Sequence, residues 1–264
     1  GLDYIVYDYL AEITMSIMAR ARARDQNRGF ATDFVDAVLK PHLVDIAAQG
    51  VKLISNAGGV NPQACAAAAV QLIEDAGLDL TVTVVSGDDL MVHKAAFAQR
   101  GFMEMFSDQD FPDPAGIASI NAYLGAFPIA RALALGADIV ITGRCVDSAV
   151  TLGACIDAFG WKPDEFDRLA GGSLAGHILE CGPQATGGNF TDWHEVAGSL
   201  VDIGYPIAEV SADGSFVCTK PENTGGQVTV ATVAEQALYE IGDPQAYVLP
   251  DVVCDFSGIQ IEQQ

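Results

Sequence analysis

Four short apolar runs along the chain are each followed by a loop of small or polar residues and then by a helical pattern. The runs lie at residues 2–7, 51–55, 80–86 and 138–142. Near-continuous apolar strands that alternate with helices are typical of a parallel sheet covered on both faces. The pattern therefore predicts an α/β fold with a mostly parallel sheet, of the three-layer, doubly wound type. A β/α barrel has the same alternation and is the alternative.

Helical patterns fill the segments between these strands. The best marked begins after residue 61, because Asn61 suits the N-cap position, Pro62 the first helical position and Gly77 the end. The others are expected at residues 8–24, 32–49 and 119–136, in a segment that ends near 101, and from 148 to 160.

The pattern changes after about residue 170, where glycine-rich loops and short apolar runs replace the alternation. A hairpin is expected around the turn 212–214, a helix at 229–241 and a strand at 247–254. We predict a single domain over residues 1–264, with a parallel α/β core at 1–170 and a glycine-rich continuation or subdomain at 171–264. Because Gly1 directly precedes a core strand, we expect the domain to be incomplete at both ends.

Composition narrows the classes of partner. The chain carries 35 acidic against 13 basic residues, a formal net charge of −22. Nucleic acids and anionic membrane surfaces both require clustered Lys and Arg, so neither is expected as a partner. No apolar run approaches a membrane span and no secretory signal is present, which predicts a cytoplasmic protein.

Cysteine and histidine give no sign of a zinc site or a disulfide framework. The six cysteines form no CxxC pair, and the four histidines lack the spacing of zinc ligands. We therefore expect reduced, mostly buried thiols and predict no metal site from these residue types.

Polar residues and glycines follow the carboxyl ends of the predicted strands, where parallel α/β sheets bind their ligands. This rule places a set of candidate residues on one rim of the sheet. They are Asp8, Asn56, Gly58, Gly59, Asn61, Asp88, Asp89, Arg144, Asp147 and Ser148.

Two of these segments are candidate anion sites. The glycine-containing loop from Asn56 to Pro62 faces a helix N-terminus with exposed N–H groups, which suits a phosphate or carboxylate. A tight turn is an equally good explanation of its glycines. Arg144 directly follows a buried strand and is placed to bind a carboxylate or phosphate, or to form an internal salt bridge to Asp8 or Asp88.

Three residues are candidates for proton transfer: His177, Asp147 and Asp88. A histidine titrates near neutral pH, although a lone histidine is more often structural. Paired carboxylates, as in Asp88 with Asp89, can hold Mg²⁺ or act as acid and base. Asp88, Asp147 and Ser148 are also ordinary residues at helix starts.

Two Thr-Gly-Gly triplets in the C-terminal part are further candidate ligand loops. The first follows His177 and Cys181, and the second lies on a loop that begins with a lysine. The residues concerned are Thr186, Gly187, Gly188, Lys220, Thr224, Gly225 and Gly226.

Several motifs along the chain, in consistent order, carry a family resemblance. They are Asp8-Tyr-Leu-Ala-Glu12, Ser55-Asn-Ala-Gly-Gly-Val-Asn-Pro62, Ile141-Thr-Gly-Arg144 with Asp147-Ser148, Gly176-His-Ile-Leu-Glu-Cys-Gly182, Thr186-Gly-Gly188, Tyr205-Pro-Ile-Ala-Glu209 and the run from Thr219 to Glu240. Together they resemble the N-terminal domain of the acyclic terpene utilisation (AtuA) family, formerly a domain of unknown function.

The resemblance implies a role in the breakdown of acyclic terpenoids such as citronellol and geraniol, which proceeds through branched acyl-CoA esters. It also implies sequence beyond both ends and a small companion domain, fused or encoded nearby. It assigns no catalytic residues, and it leaves the oligomeric state open.

The residues and the resemblance together favour a lyase or hydratase that acts on a branched acyl-CoA or carboxylate. No dinucleotide motif indicates redox chemistry, and a coenzyme A thioester is expected as substrate. In this hypothesis Arg144 and the glycine loops hold the anionic group, and His177 or an aspartate moves a proton. The alternative is a non-catalytic subunit that binds an acyl-CoA or a partner protein.

Overall fold

The computed structural model describes residues 1–264. The chain folds into two compact units. The first unit comprises Gly1–Leu124 and Leu135–Cys145, and the second comprises Gly125–Ala134 and Val146–Gln264. The chain therefore enters the second unit for Gly125–Ala134, returns to the first for Leu135–Cys145, and enters the second again at Val146.

A four-stranded parallel sheet forms the centre of the first unit. Its strands, in the order β1-β2-β4-β3, are Tyr4–Tyr7, Lys52–Ser55, Ile139–Thr142 and Val82–Val85. All four residues of the inner strand β4 are buried. The predicted α/β class with a parallel sheet is therefore confirmed, and each strand lies within its predicted apolar run.

Residues 34–39, 40–49 and 62–75 pack apolar side chains against this sheet in one core. Met15, Met18 and Ala19 form a separate small cluster with Leu10 and Val60. Residues 34–39 are π-helical and continue directly into the α-helix that follows. The α-helices are α1 (Glu12–Arg24), α2 (Lys40–Gln49), α3 (Pro62–Asp75) and α4 (Lys94–Arg100). Helices on both faces of the sheet, in the doubly wound arrangement, stay a prediction.

The predicted helix at residues 119–136 is too long. Only Phe127–Ala134 is helical, as α5 of the second unit. The residues before it bond as extended chain, because Ala122 N donates to Asp88 O at 2.8 Å and Leu124 N donates to Arg144 O at 3.2 Å. These non-local bonds replace the helical ones.

The second unit is mainly helical. Its other helices are α6 (Ala149–Phe159), α7 (Phe166–Glu180) and α8 (Val230–Leu238). The glycine pattern after residue 170 concealed α7, whose glycines lie where neighbours approach closely. A Cβ on Gly172 would lie 2.8 Å from Leu152 Cδ1, and one on Gly176 would lie 2.6 Å from Ser148 O.

Two small antiparallel hairpins complete the second unit. Strands β5 (Ile207–Val210) and β6 (Phe216–Thr219) form the hairpin expected around residues 212–214. The single strand expected at 247–254 is wrong in detail. It is two strands, β7 (Tyr247–Val248) and β8 (Val253–Cys254), joined by a turn in which Leu249 N donates to Val252 O at 3.1 Å.

None of the helices in the structure has both the length and the apolar character needed to cross a membrane.

Candidate functional site

Asn56 connects the carboxyl ends of β1 and β2 in the first unit. Its side chain is fully buried. Its Oδ1 accepts from Tyr9 N at 2.8 Å, and its Nδ2 donates to Asp8 Oδ1 at 2.5 Å. The structure therefore brings Asp8 and Asn56 together, and the amide fixes one carboxylate oxygen.

The glycine loop after β2 is tightly bonded to the chain itself. Gly59 has a φ of +54°, and a Cβ there would lie 2.7 Å from Gly29 O. Val60 N donates to Gly29 O, and Asn61 N donates to Gly58 O. Asn61 is the N-cap residue of α3, but its side chain bonds Gln26 O and Arg28 O instead of the helix. These contacts account for the turn, and anion binding by this loop stays a prediction.

Asp88 is a buried carboxylate at the centre of a polar cluster in the first unit. Its Oδ2 accepts from Asn121 Nδ2 and from Arg144 N, each at 2.8 Å. Its neighbour Asp89 is exposed, and accepts from Met91 N at 2.9 Å. Asp88 thus fixes the backbone just after β4, which is a positioning role that needs no ligand.

The guanidinium of Arg144 is buried against an aromatic ring and a carboxylate. It lies 4.1 Å from the centroid of Tyr123, and Nη1 donates to Cys145 O at 2.6 Å. Nη2 lies 3.8 Å from Glu12 Oε1, and Tyr123 Oη donates a short hydrogen bond to the same oxygen. That hydrogen bond is the main cause that lowers the pKa of Glu12. An external anion at Arg144 would have to compete with Glu12, and its binding stays a prediction.

Helix α7 holds a buried histidine–carboxylate pair in the second unit. His177 is 1% exposed, and its Nδ1 lies 3.0 Å from Oε1 of Glu180, whose side chain is 6% exposed. The two groups are at ion-pair distance without the alignment of a hydrogen bond, and His177 Nε2 has no hydrogen-bond partner. Burial raises the pKa of Glu180, and contact with His177 opposes this rise.

The side chains of Asp147 and Tyr247 lie next to this pair. A carboxylate oxygen of Asp147 lies within 4.8 Å of one of Glu180, and the ring centroids of Tyr247 and His177 are 6.2 Å apart. Burial, reinforced by the charges of Glu180 and Asp147, raises the pKa of Tyr247 to about 12. We name His177, Glu180, Asp147 and Tyr247 the His177 cluster. Asp147 and Tyr247 are only partly buried, so the cluster extends from an enclosed imidazole to accessible groups.

Neighbouring elements hold the His177 cluster in place. Gln236 of α8 donates from Nε2 to His177 O at 2.9 Å. Ser148 is the buried N-cap residue of α6, where its side chain makes no capping bond, and its backbone packs against Gly176. The cluster is therefore built on the packing of α6, α7 and α8.

The two Thr-Gly-Gly triplets pack against each other. Thr186 Oγ1 donates to Gly204 O at 2.6 Å, and Gln227 N donates to Thr186 O at 2.8 Å. A Cβ on Gly226 would lie 2.7 Å from Ile203, and one on Gly225 would lie 2.8 Å from Ser199 Cβ. The turn of the first triplet is closed by Gly187 N and Gly188 N, which donate to Gln184 O and Pro183 O.

Lys220 closes the loop of the second triplet. Its Nζ donates to Thr224 O at 2.7 Å and to Thr224 Oγ1 at 3.2 Å. The triplets thus have a structural explanation, and ligand binding by them stays a prediction.

One comparison with known proteins identifies the family of this chain. The family model described as acyclic terpene utilisation family protein AtuA matches residues 1–264. The chain belongs to the AtuA family. No curated protein and no solved structure gave a match. Membership in the AtuA family implies a role in the utilisation of acyclic terpenes.

Several residues of these sites in the AtuA chain are not among the sequence-predicted ones. Glu180 had a usable signal, since side chains three residues apart on a helix face the same side, but α7 itself was concealed. Tyr247 and Tyr123 had no sequence signal. They contact His177 and Arg144, respectively, only because the fold brings distant parts of the chain together. Asp88 lies in the first unit and the His177 cluster in the second.

Proposed function

We propose that this chain is an enzyme of acyclic terpenoid and branched-chain acid degradation, of the lyase or hydratase type. Its substrate would be a branched acyl-CoA, or the corresponding carboxylate, from the breakdown of compounds such as citronellol and geraniol. Family membership supports the metabolic context. The observation that carries the catalytic part is the buried pair of His177 and Glu180, 3.0 Å apart.

This pair has the properties of an acid–base catalyst. A carboxyl group whose pKa is raised by burial can hold and release a proton closer to neutral pH than an exposed one. The imidazole beside it offers a second site for the same proton. In a hydration, one group takes a proton from water as its oxygen attacks the β-carbon, and the other delivers a proton to the α-carbon. A lyase reaction runs the same transfers in reverse.

The test measures solvent deuterium entering the α-carbon of geranyl-CoA, whose α,β double bond can add water, together with the hydration product, by mass spectrometry. General acid–base groups contribute about 10²–10⁴-fold to rate, so His177→Gln and Glu180→Gln should each lower turnover by about 100-fold or more. His194→Gln is the matched control, because His194 is an exposed histidine of the same unit. Equal rates in wild type and both variants would exclude the pair from catalysis.

The alternative is a non-catalytic subunit that binds an acyl-CoA or a partner, such as a small companion domain. The burial of His177, which is 1% exposed, is the observation that favours this alternative, because a buried histidine also serves as a packed structural group. Such a subunit would bind the thioester in a calorimeter and show no exchange in wild type or variants. Exchange in wild type that disappears in His177→Gln, with binding retained, would rule it out.

A further inference from the structure

An apolar cavity of about 690 Å³ lies in the second unit, apart from the four side chains of the His177 cluster. Its wall is built from one face of α7, strand β6, one face of α8 and residues 259–264. The side chains that make it apolar are Leu174, Ile178, Phe216, Val228, Val233 and Ile261. A volume of this size lies in the range of pockets that bind small organic ligands.

The lining stays largely uncharged at neutral pH. Cys218 faces the cavity, and burial raises the pKa of its thiol to about 11, so the neutral thiol is retained. Thr219 and Thr229 add neutral hydroxyl groups. The chain as a whole carries a net charge of −22, yet only one acidic side chain, Glu262, lines this cavity. An aliphatic group is therefore the main part of a matching ligand.

One cation, Lys220, also lines the cavity. Two of its three ammonium hydrogens bind Thr224 O and Thr224 Oγ1, at 2.7 and 3.2 Å. These bonds hold the ammonium in place and leave the third hydrogen for an external acceptor. A positioned lysine beside an apolar wall complements a ligand with an apolar chain and one anionic end.

We propose that this cavity binds a branched aliphatic carboxylate, with the chain among Leu174, Phe216 and Val228 and the carboxylate on Lys220. The inference rests on the proposed function for the choice of a branched chain only. It does not require the His177 cluster to be catalytic, since binding is measured without turnover.

Isothermal titration calorimetry with citronellic acid and with citronellol, its uncharged alcohol, tests the proposal. Loss of a charged hydrogen bond should weaken citronellic acid binding to Lys220→Met by about tenfold. Citronellol binding should be nearly the same in this variant and in wild type. Lys220→Arg should retain acid binding, and Lys162→Met is the matched control, since Lys162 is an exposed lysine of the same unit that does not line the cavity.

A second variant tests the cavity itself. Leu174→Trp places a larger side chain in the wall and should abolish binding of both compounds, while thermal unfolding reports whether the variant is folded. No binding to wild type, or equal binding to wild type, Lys220→Met and folded Leu174→Trp, would overturn the proposal. Glu180→Gln should bind citronellic acid as wild type does, so a failure of catalysis and a failure of this cavity are distinguishable.

Discussion

His177 and Glu180 lie three residues apart on α7, with Nδ1 of the imidazole 3.0 Å from Oε1 of the carboxylate. Burial away from water disfavours the ionised form of a carboxyl group. A neighbouring protonated imidazole favours that ionised form. Burial is the larger effect here, because the pKa of Glu180 is raised overall. Asp147 and Glu240 add to the rise through like charge. The ionisation of Glu180 is therefore coupled to folding.

The coupling predicts a pH-dependent effect of Glu180→Gln on stability. A group whose pKa is raised by folding contributes stability that is fully present below its unfolded value, near 4.5, and is lost as the pH rises through the higher folded value. Glutamine does not ionise, so the variant lacks this loss. The variant should become more stable relative to wild type as the pH rises from about 4.5 toward neutral, as measured by urea unfolding at a series of pH values.

The control for this experiment is Glu195→Gln, at an exposed position of the same unit. The difference in the free energy of unfolding between Glu195→Gln and wild type should change little over the same pH range. A raised pKa for Glu180 would be contradicted if the stability of Glu180→Gln relative to wild type stayed constant with pH. It would also be contradicted if that relative stability fell as the pH rose.

Asp88 and Asp89 form a matched pair for a second prediction. Asp88→Ala leaves Arg144 N and Asn121 Nδ2 without their buried acceptor, and hydrogen bonds to a charged group are worth about 1.5–3 kcal/mol each. We expect a loss of about 3 kcal/mol in the free energy of unfolding. Asp89→Ala removes an exposed bond to Met91 N and a surface ion pair to Arg22 at 3.9 Å, and should cost about 1 kcal/mol or less. Equal losses in chemical denaturation would show that Asp88 does not hold the end of β4.

The sequence predicted the location of Asp88 and not its role. An aspartate just after an apolar strand is equally consistent with a ligand site, a helix start or an internal support. The choice depends on Asn121 and on the backbone of Arg144, which are 33 and 56 residues further along the chain. The four strands themselves were predictable, because a buried parallel strand needs only a short apolar run, which is a local property.

The packing of α7 on α6 gives a third prediction. The Cβ of an alanine at position 176 would lie 2.6 Å from Ser148 O, closer than a packed core accepts. Overpacking of this kind costs about 1–3 kcal/mol, which exceeds the gain of about 1 kcal/mol in helix propensity. Gly176→Ala should therefore lower the unfolding temperature. Gly198→Ala should change it little, because a Cβ at Gly198 meets nothing within 4 Å.

The same glycines explain why the sequence was misleading after residue 170. Gly172 and Gly176 read as loop residues by composition, since glycine disfavours helices. In the structure they allow α7 to approach Trp161 and Ser148 closely. The helix is therefore stabilised by tertiary contacts that no local pattern reveals, and only the helix shows that His177 and Glu180 face the same side. An unfolding temperature of Gly176→Ala equal to that of Gly198→Ala would contradict this explanation.

The short hydrogen bond from Tyr123 to Glu12 gives the fourth prediction. It is the main cause of the lowered pKa of Glu12, ahead of the charge of Arg144. Tyr123→Phe removes the hydroxyl and keeps a ring on which the Arg144 guanidinium can stack. The pKa of Glu12 should therefore rise toward its ordinary value of 4.5, as measured by NMR titration of the side-chain carboxyl carbon.

Glu104 is the internal control for that titration. Its pKa is also lowered, but by hydrogen bonds from Ser107, so Tyr123→Phe should leave it unchanged. Because folding lowers the pKa of Glu12, the stability it contributes is present above its unfolded value and is lost as the pH falls through the folded one. Tyr123→Phe should therefore reduce this acid-side loss. If Glu12 titrates at the same pH in both proteins, the tyrosine hydroxyl does not set its pKa, and the backbone hydrogen bond and the charge of Arg144 are the remaining causes that lower it.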